Sequence, residues 1–245
     1  MKSVVKIKWK KNRKKWKAEL LLASRDGFER RGLQQGRKIS FELTDERRCT
    51  GYAHAPGERT SCPEFRQIDS GSQCPECRGK DIYSDYVRGA QNTLDGSFSV
   101  YYAQIGQKFK VGVTRSENIP KRWIEQGADY AAEIESGLTS NEALDIEDQL
   151  TTEKISQRIR KENKLERPKE KLSEIMEGKD RHAKVVDVQG LTNYPLINGK
   201  FMRSGLLEGK IECVKGQIVG NGRVAMAMTS GKVLKRPEQK GLRNF

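Results

Sequence analysis

Apolar and polar residues alternate at the start of the chain. Val5, Ile7 and Trp9 are separated by Lys6, Lys8 and Lys10, the two-residue period of a strand with one buried face. After a polar stretch from Lys11 to Lys14, Trp16, Ala18, Leu20 and Leu22 alternate again, which predicts a hairpin. Ile39, Phe41 and Leu43 predict a third short strand. Phe98 to Val113 reads as two strands around a turn at Gly106 and Gln107, paired so that Tyr101 and Gly112 come close. Ala131 to Ile134 supplies a further strand.

Helical signals are fewer. Pro120 suits the first turn of a short helix that stops near Gly127. Thr139 followed by Glu142 is a capping-box signature, and the helix it opens is expected to run to about residue 162. Arg167-Pro168 breaks it, and a short charged helix with Leu172, Ile175 and Met176 follows. From Ala183 onward, glycines at 190, 199, 205, 209, 216, 220, 222 and 231 punctuate short strands, the pattern of a small sheet or barrel. The expected fold is α+β, in four parts. These are a basic β-rich region over 1–47, a cysteine module over 48–92, a central sheet with helices over 93–180 and a β-rich part over 183–245.

Charge sharpens this picture. Lys and Arg number 47 against 33 Asp and Glu, a net +14, which points to a polyanion and to nucleic acid first. Residues 1–40 hold 14 bases and 3 acids, whereas 117–149 hold 9 acids and 2 bases. Lys8, Lys10, Lys11, Arg13, Lys14 and Lys15 of the hairpin are candidate phosphate contacts, although lysines also protect edge strands. Apolar runs such as Leu20 to Ala23 are far short of the roughly 20 residues that span a bilayer. No secretory signal is seen, and five cysteines are an odd number. A reducing cytosol is therefore expected.

Residues 48–80 lack periodicity and carry Cys49, Cys62, Cys74 and Cys77 in the spacing C-x12-C-x11-C-x2-C. The Cys-x2-Cys turn lets two thiolates converge on one ion, and zinc takes four such ligands in a tetrahedron. Structural Zn²⁺ is the expectation, with four unlinked thiols or redox chemistry as alternatives. His54 could replace one cysteine, or be a solvated loop histidine. Cys213 reads as a small buried hydrophobe.

Residues 99–150 gather chemistry. Arg122 lies one helical turn before Gln126, and Glu147 falls at helical spacing from Ala143, Leu144 and Leu150 on an inward stripe. A carboxylate there is costly unless paired or metal-bound. Tyr101 also reads as an ordinary strand aromatic, and Arg122 as an ion-pair partner of Glu147.

The order S-V-Y at 99–101, K-V-G at 110–112, Arg122 and A-L-D-I-E-D-Q-L at 143–150 resembles the GIY-YIG nuclease domain. The wording KVGVTR…IPKRWIEQGA further resembles an uncharacterised GIY-YIG-related family of bacteria and archaea. In that family a cysteine module commonly precedes the nuclease-like segment. The resemblance covers residues 98 to about 160, and more loosely most of the chain. It implies a small sheet flanked by helices and holding one divalent ion. Tyr101 would then be the base or its positioner, Arg122 would stabilise phosphate charge, and Glu147 would bind Mg²⁺ or Mn²⁺. Lys110 stands where the second motif has a tyrosine, and Gln126 where some members carry a histidine. His54 and His182 are the only histidines. Arg115, just beyond the second strand, joins Lys110 as a candidate phosphate contact.

Two classes of function follow. One is a metal-dependent nuclease acting on DNA or RNA. The other is a non-catalytic binder of structured nucleic acid, with an RNA- or ribosome-associated protein as one version.

Overall fold

β1 (Lys2–Asn12) and β2 (Lys15–Ser24) pair as an antiparallel hairpin, with Ile7 opposite Leu20 and Trp9 opposite Ala18. The computed structural model describes residues 1–84, 95–152, 155–156, 159–169, 172–177 and 183–237. Alternation in β1 is reset by a bulge between Val4 and Lys6. Val4, Ile7 and Trp9 consequently face the main core, while Val5 packs on the other face with Leu21 and Ala23. An extra residue on one strand moves its side chain across the sheet, and the expected Val5–Ile7–Trp9 face is corrected accordingly.

The remaining elements follow in order. β3 (Gly27–Gly32) adds to β2 and was not expected; β4 (Lys38–Arg47) carries the expected Phe41 and Leu43 inward. β5 (Tyr52–Ala55) and β6 (Glu58–Thr60) form a small ribbon, followed by α1 (Pro75–Gly79). Then come β7 (Phe98–Ile105), β8 (Lys108–Arg115), α2 (Lys121–Gln126), β9 (Tyr130–Leu138) and α3 (Ser140–Leu150). They are followed by β10 (Ile155–Ser156), α4 (Leu172–Glu177) and β11 (Val186–Asp187). The last strands are β12 (Lys200–Met202), β13 (Gly205–Lys210), β14 (Cys213–Lys215), β15 (Ile218–Gly220), β16 (Val224–Ala227) and β17 (Lys232–Lys235). With 46% of the described residues in strands and 17% in helices, the fold is β-rich α+β.

Four sheets result. The first runs β13-β4-β17-β1-β2-β3, the second β10-β8-β7-β9-β11, the third β12-β16-β15-β14, and β5 pairs with β6. Strands from the segments 1–47 and 183–245 thus share one sheet, because β17 inserts between β1 and β4 and β13 extends β4. The other four strands after residue 199 form an open sheet. The expected boundaries at 92/93 and at 180 lie outside the described residues.

Two cores meet at the second sheet. Tyr101, Ala103 and Ile105 of β7 pack with Trp123 and Ile124 of α2, with Trp9 and Leu20 of the first sheet and with Val214 and Val219 of the third. On the opposite face Val100, Tyr102 and Val111 are covered by Ala143 and Leu150 of α3 and by Leu172 and Met176 of α4. The first face is closed by a buried ion pair. Lys215 Nζ donates to both carboxylate oxygens of Asp129 at 2.7 and 2.8 Å, and Asp129 Oδ2 also accepts the Gly106 N–H at 2.7 Å. Burial raises the Asp129 pKa and lowers that of Lys215. Such a pair tolerates its desolvation only when every oxygen and proton is used.

The capping box is formed: Thr139 Oγ1 accepts the Glu142 N–H at 3.3 Å, and Glu142 accepts the Thr139 N–H at 2.8 Å. α3 ends at Leu150, well before 162, because Thr151 turns to an extended conformation and its N–H closes on the Glu147 carbonyl. Leu144 is 39% exposed, so the inward stripe is Ala143, Ile146 and Leu150. Among the described residues no helix is long and apolar enough to cross a membrane.

Candidate functional sites: a cysteine cluster and a Tyr101 centre

Cys49 follows β4, Cys62 follows β6, and Cys74 caps α1 with Pro75 at its first position and Cys77 inside it. Gly51 has φ +75, and a side chain there would run into the Thr60 carbonyl, so only glycine allows β6 to fold back. All four sulfurs are buried and lie within 4.8 Å of one another. Together they could hold a metal ion. Among the described residues no other group of three or more such ligands is found. Apart from partly buried Tyr52 and Ile68, the module's apolar cluster consists of these cysteines. Burial pushes the Cys49 thiol up to about 11 and raises that of Cys77. For Cys62 burial acts the same way, but N–H donors such as that of Arg66 outweigh it and lower the value. Four such sulfurs become thiolates together only around a cation. His54 is exposed, with Glu58 at 3.2 Å and Thr60 at 3.0 Å, and is not in the cluster. Cys213 is buried with Ile197, Ile218 and Ala225.

The second site is built on β7 and β8. Tyr101 pairs with Gly112, and Tyr102 with Val111. Lys110, Gly112 and Tyr101 share one face of the sheet by this register. A Cβ on residue 112 would lie 2.6 Å from the Tyr101 hydroxyl and 3.3 Å from Lys110 Cε. Gly112 therefore clears the space in which the two side chains meet. α2, capped by Gly127 in the left-handed region (φ 75), brings Trp123 to the same face at 6.3 Å from the Tyr101 ring. Arg122 on this helix is exposed.

The electrostatics tie these residues together. Tyr101 is 0% exposed, and its hydroxyl lies beside Arg122 and Gln126 without a well-aligned hydrogen bond among the described residues. Burial raises its pKa, with Arg122 and Gln126 opposing and Glu147 adding to the rise. Lys110 is lowered to about 8 by burial and then by Arg122, with Glu147 opposing. Half-buried Glu147 is raised by burial, while Lys110 and Arg122 pull it down. Tyr101, Lys110, Arg122 and Glu147 are thus within electrostatic range of one another. Glu147 reaches this group from α3, which packs on the Val100–Tyr102–Val111 face opposite Tyr101.

Arg115 lies elsewhere. It stacks on Phe98 at 5.7 Å, on the face away from Tyr101. Of the hairpin bases, Lys10 pairs with Glu19 at 2.9 Å, Lys15 bonds the Gly190 carbonyl, and Lys11, Arg13 and Lys14 are exposed at the tip. Lys8 is half-buried, and its pKa is lowered by burial and then by Lys6, Arg30, Lys121 and Arg59. His182 lies outside the described residues.

One site residue gave no signal in the sequence. Lys164 donates to the Gln126 carbonyl at 2.6 Å, and burial followed by Lys161 and Lys110 lowers it to about 8. It comes from a 3-10 turn, Glu162–Leu165, that no periodicity marks.

Neither a curated protein nor a solved structure matches the chain. A family model described as "Protein of unknown function (DUF2797)" matches residues 36–219, from just before β4 to within β15 and including both sites. The match spans well over half of the sequence, and the chain therefore belongs to that family.

Proposed function

We propose that this protein binds nucleic acid and carries, around Tyr101, a divalent-metal-dependent centre that hydrolyses phosphodiesters. The observation that carries this reading is that Tyr101 and Lys110 meet over the side-chain-free position 112, while Arg122 and Glu147, from two further elements, act electrostatically on both. The same residues motivate the resemblance to GIY-YIG nucleases.

Each residue has a part that its environment suits. Arg122, exposed on α2, offers a planar guanidinium to phosphoryl oxygens, where negative charge grows in the transition state. Lys110 adds a second cation to the same phosphate. Burial holds Tyr101 protonated, so it fits a hydrogen-bond donor that orients the attacking water better than a base that deprotonates it. The water oxygen forms the new P–O bond as the ester P–O bond breaks, and the water proton and the leaving alkoxide are balanced through solvent. Glu147 would hold Mg²⁺ or Mn²⁺; one carboxylate suits an ion that keeps most of its waters and shares substrate oxygens. When bound, that ion supplies Lewis-acid charge to the phosphate. In the cysteine module, four buried sulfurs suit structural Zn²⁺, whose closed tetrahedron leaves no open position.

Nuclease assays on DNA and RNA with Mg²⁺ or Mn²⁺ test the reading. Cleavage is expected to vanish in Glu147→Ala and Arg122→Ala; cleavage that persists in both overturns it.

A second reading has its own observations. Tyr101 is fully enclosed and α3 packs on the opposite face, as suits a scaffold that has kept the arrangement and binds structured nucleic acid, an RNA or ribosomal particle included, without cutting. Tight metal-independent binding with no cleavage of any substrate selects it.

A further inference from the structure

The bases that cluster in space are not those that run together in the sequence. In the register of the first sheet, Lys6 lies opposite Leu21 and Leu21 opposite Arg30, so Lys6 and Arg30 flank Leu21 on one face. Lys8 lies one pleat along, opposite Glu19, on that same face. α2 approaches this face: Glu125 is 4.0 Å from Lys6. Lys121, four residues earlier on the helix, shares the Glu125 side. The cysteine module approaches too, with Pro63 accepting a hydrogen bond from Arg25 Nε of the β2–β3 turn at 3.4 Å. Its Arg59 spends one Nη on the Gly51 carbonyl at 3.2 Å, while its buried Nε has no partner among the described residues.

We propose that a nucleic-acid phosphate backbone binds where Lys6, Lys8, Arg30, Arg59 and Lys121 converge, and that the hairpin tip is not the grip. The proposal rests on the nucleic-acid reading above. It adds the location of the contact and a role for the cysteine module, which delivers Arg59.

Charge counting supports it. Three carboxylates reach these five bases, and all are engaged: Glu19 by Lys10 at 2.9 Å, Glu125 by Lys6, and Asp81, beside Arg59, by the Ala53 and Tyr83 N–H groups and by Gln73. The lowered pKa of Lys8 registers the mutual repulsion that remains after burial. Bases from β1, β3, β6 and α2 suit an extended chain of phosphates rather than one small anion. α2 also gives the chain a direction. The charge of its Lys121 acts on Lys8, and that of its next residue, Arg122, acts on Tyr101 and Lys110. A backbone held at Lys8 is thereby led toward the proposed centre.

Fluorescence anisotropy with a short labelled oligonucleotide, in buffer free of Mg²⁺ and Mn²⁺, tests the surface across a salt series. Each neutralised phosphate contributes about 0.9 to the slope of log affinity against log salt. The triple variant Arg30→Gln/Arg59→Gln/Lys121→Gln is expected to bind more than about tenfold more weakly and to lose about two to three in slope. Arg30→Lys/Arg59→Lys, which keeps the charge, should retain most affinity and so controls for misfolding. Lys11→Gln/Lys14→Gln at the tip should bind nearly as wild type. Wild-type affinity and slope in the triple variant overturn the proposal. So does loss confined to the tip variant, or equal competition by polyglutamate, which would mark an acidic protein as the partner. Absent cleavage with patch-dependent binding removes the nuclease reading alone; cleavage with patch-independent binding removes this proposal alone.

Discussion

The Tyr101 hydroxyl occupies the space that a side chain at Gly112 would fill, 2.6 Å from where its Cβ would stand. Gly112 thus serves a close approach and not unusual backbone angles, since its φ is not in the left-handed region. Gly112→Ala must push the ring of Tyr101 into a packed core, at a cost of about 1–3 kcal/mol. Urea unfolding measures this directly.

Tyr101→Phe separates stability from chemistry. Among the described residues its hydroxyl makes no well-aligned hydrogen bond, so removal should change stability by less than about 1 kcal/mol or raise it. If the hydroxyl orients water, cleavage falls by about 10²-fold or more while the melting temperature holds. Unchanged cleavage would exclude Tyr101 from the chemistry.

Asp129 and Lys215 join the central and C-terminal sheets through one buried pair. Asp129→Ala leaves an ammonium stranded, with an expected loss of about 3–5 kcal/mol. Replacing both, as in Asp129→Leu/Lys215→Met, should recover a good part of that loss. The Gly106 N–H then still lacks its acceptor, so recovery is incomplete. A double-mutant cycle in urea reads the coupling, and additive losses would refute it.

Lys164 gives a pH dependence of known sign. Its folded pKa of about 8 is below the roughly 10.4 of an unfolded lysine. Between these values the unfolded chain binds more protons, so stability rises with pH from about 8 to about 10. Lys110 contributes in the same direction. Lys164→Met should flatten this rise in part, seen as unfolding midpoints across the pH series.

Metal content tests the cysteine cluster. The purified chain should carry one zinc, and Cys77→Ser or a chelator should release it. The module has little other apolar core, so its order and the affinity for nucleic acid that depends on Arg59 should fall together. Cys213→Ala, remote from the cluster, should leave the metal content unchanged.

Local sequence determined what depends on local physics. The hairpin, the β7–β8 pairing of Tyr101 with Gly112, the α2 boundaries at Pro120 and Gly127 and the Thr139 capping box follow from period, turn residues and caps within a few positions. The four cysteines were likewise legible from spacing, and they converge. Tertiary structure decided the rest. A one-residue bulge sent Val5 to the far face, and the insertion of β17 beside β1 made one sheet from the two ends of the chain. Pairing over such separations leaves no periodic trace. Lys164 and Arg59 reach their positions in the same way, as single residues of a short 3-10 turn and of a three-residue strand. The net charge of +14 shows an excess of base and no more. Only the fold determined that the bases crowding Lys8 come from four elements, because repulsion depends on distance in space and not along the chain.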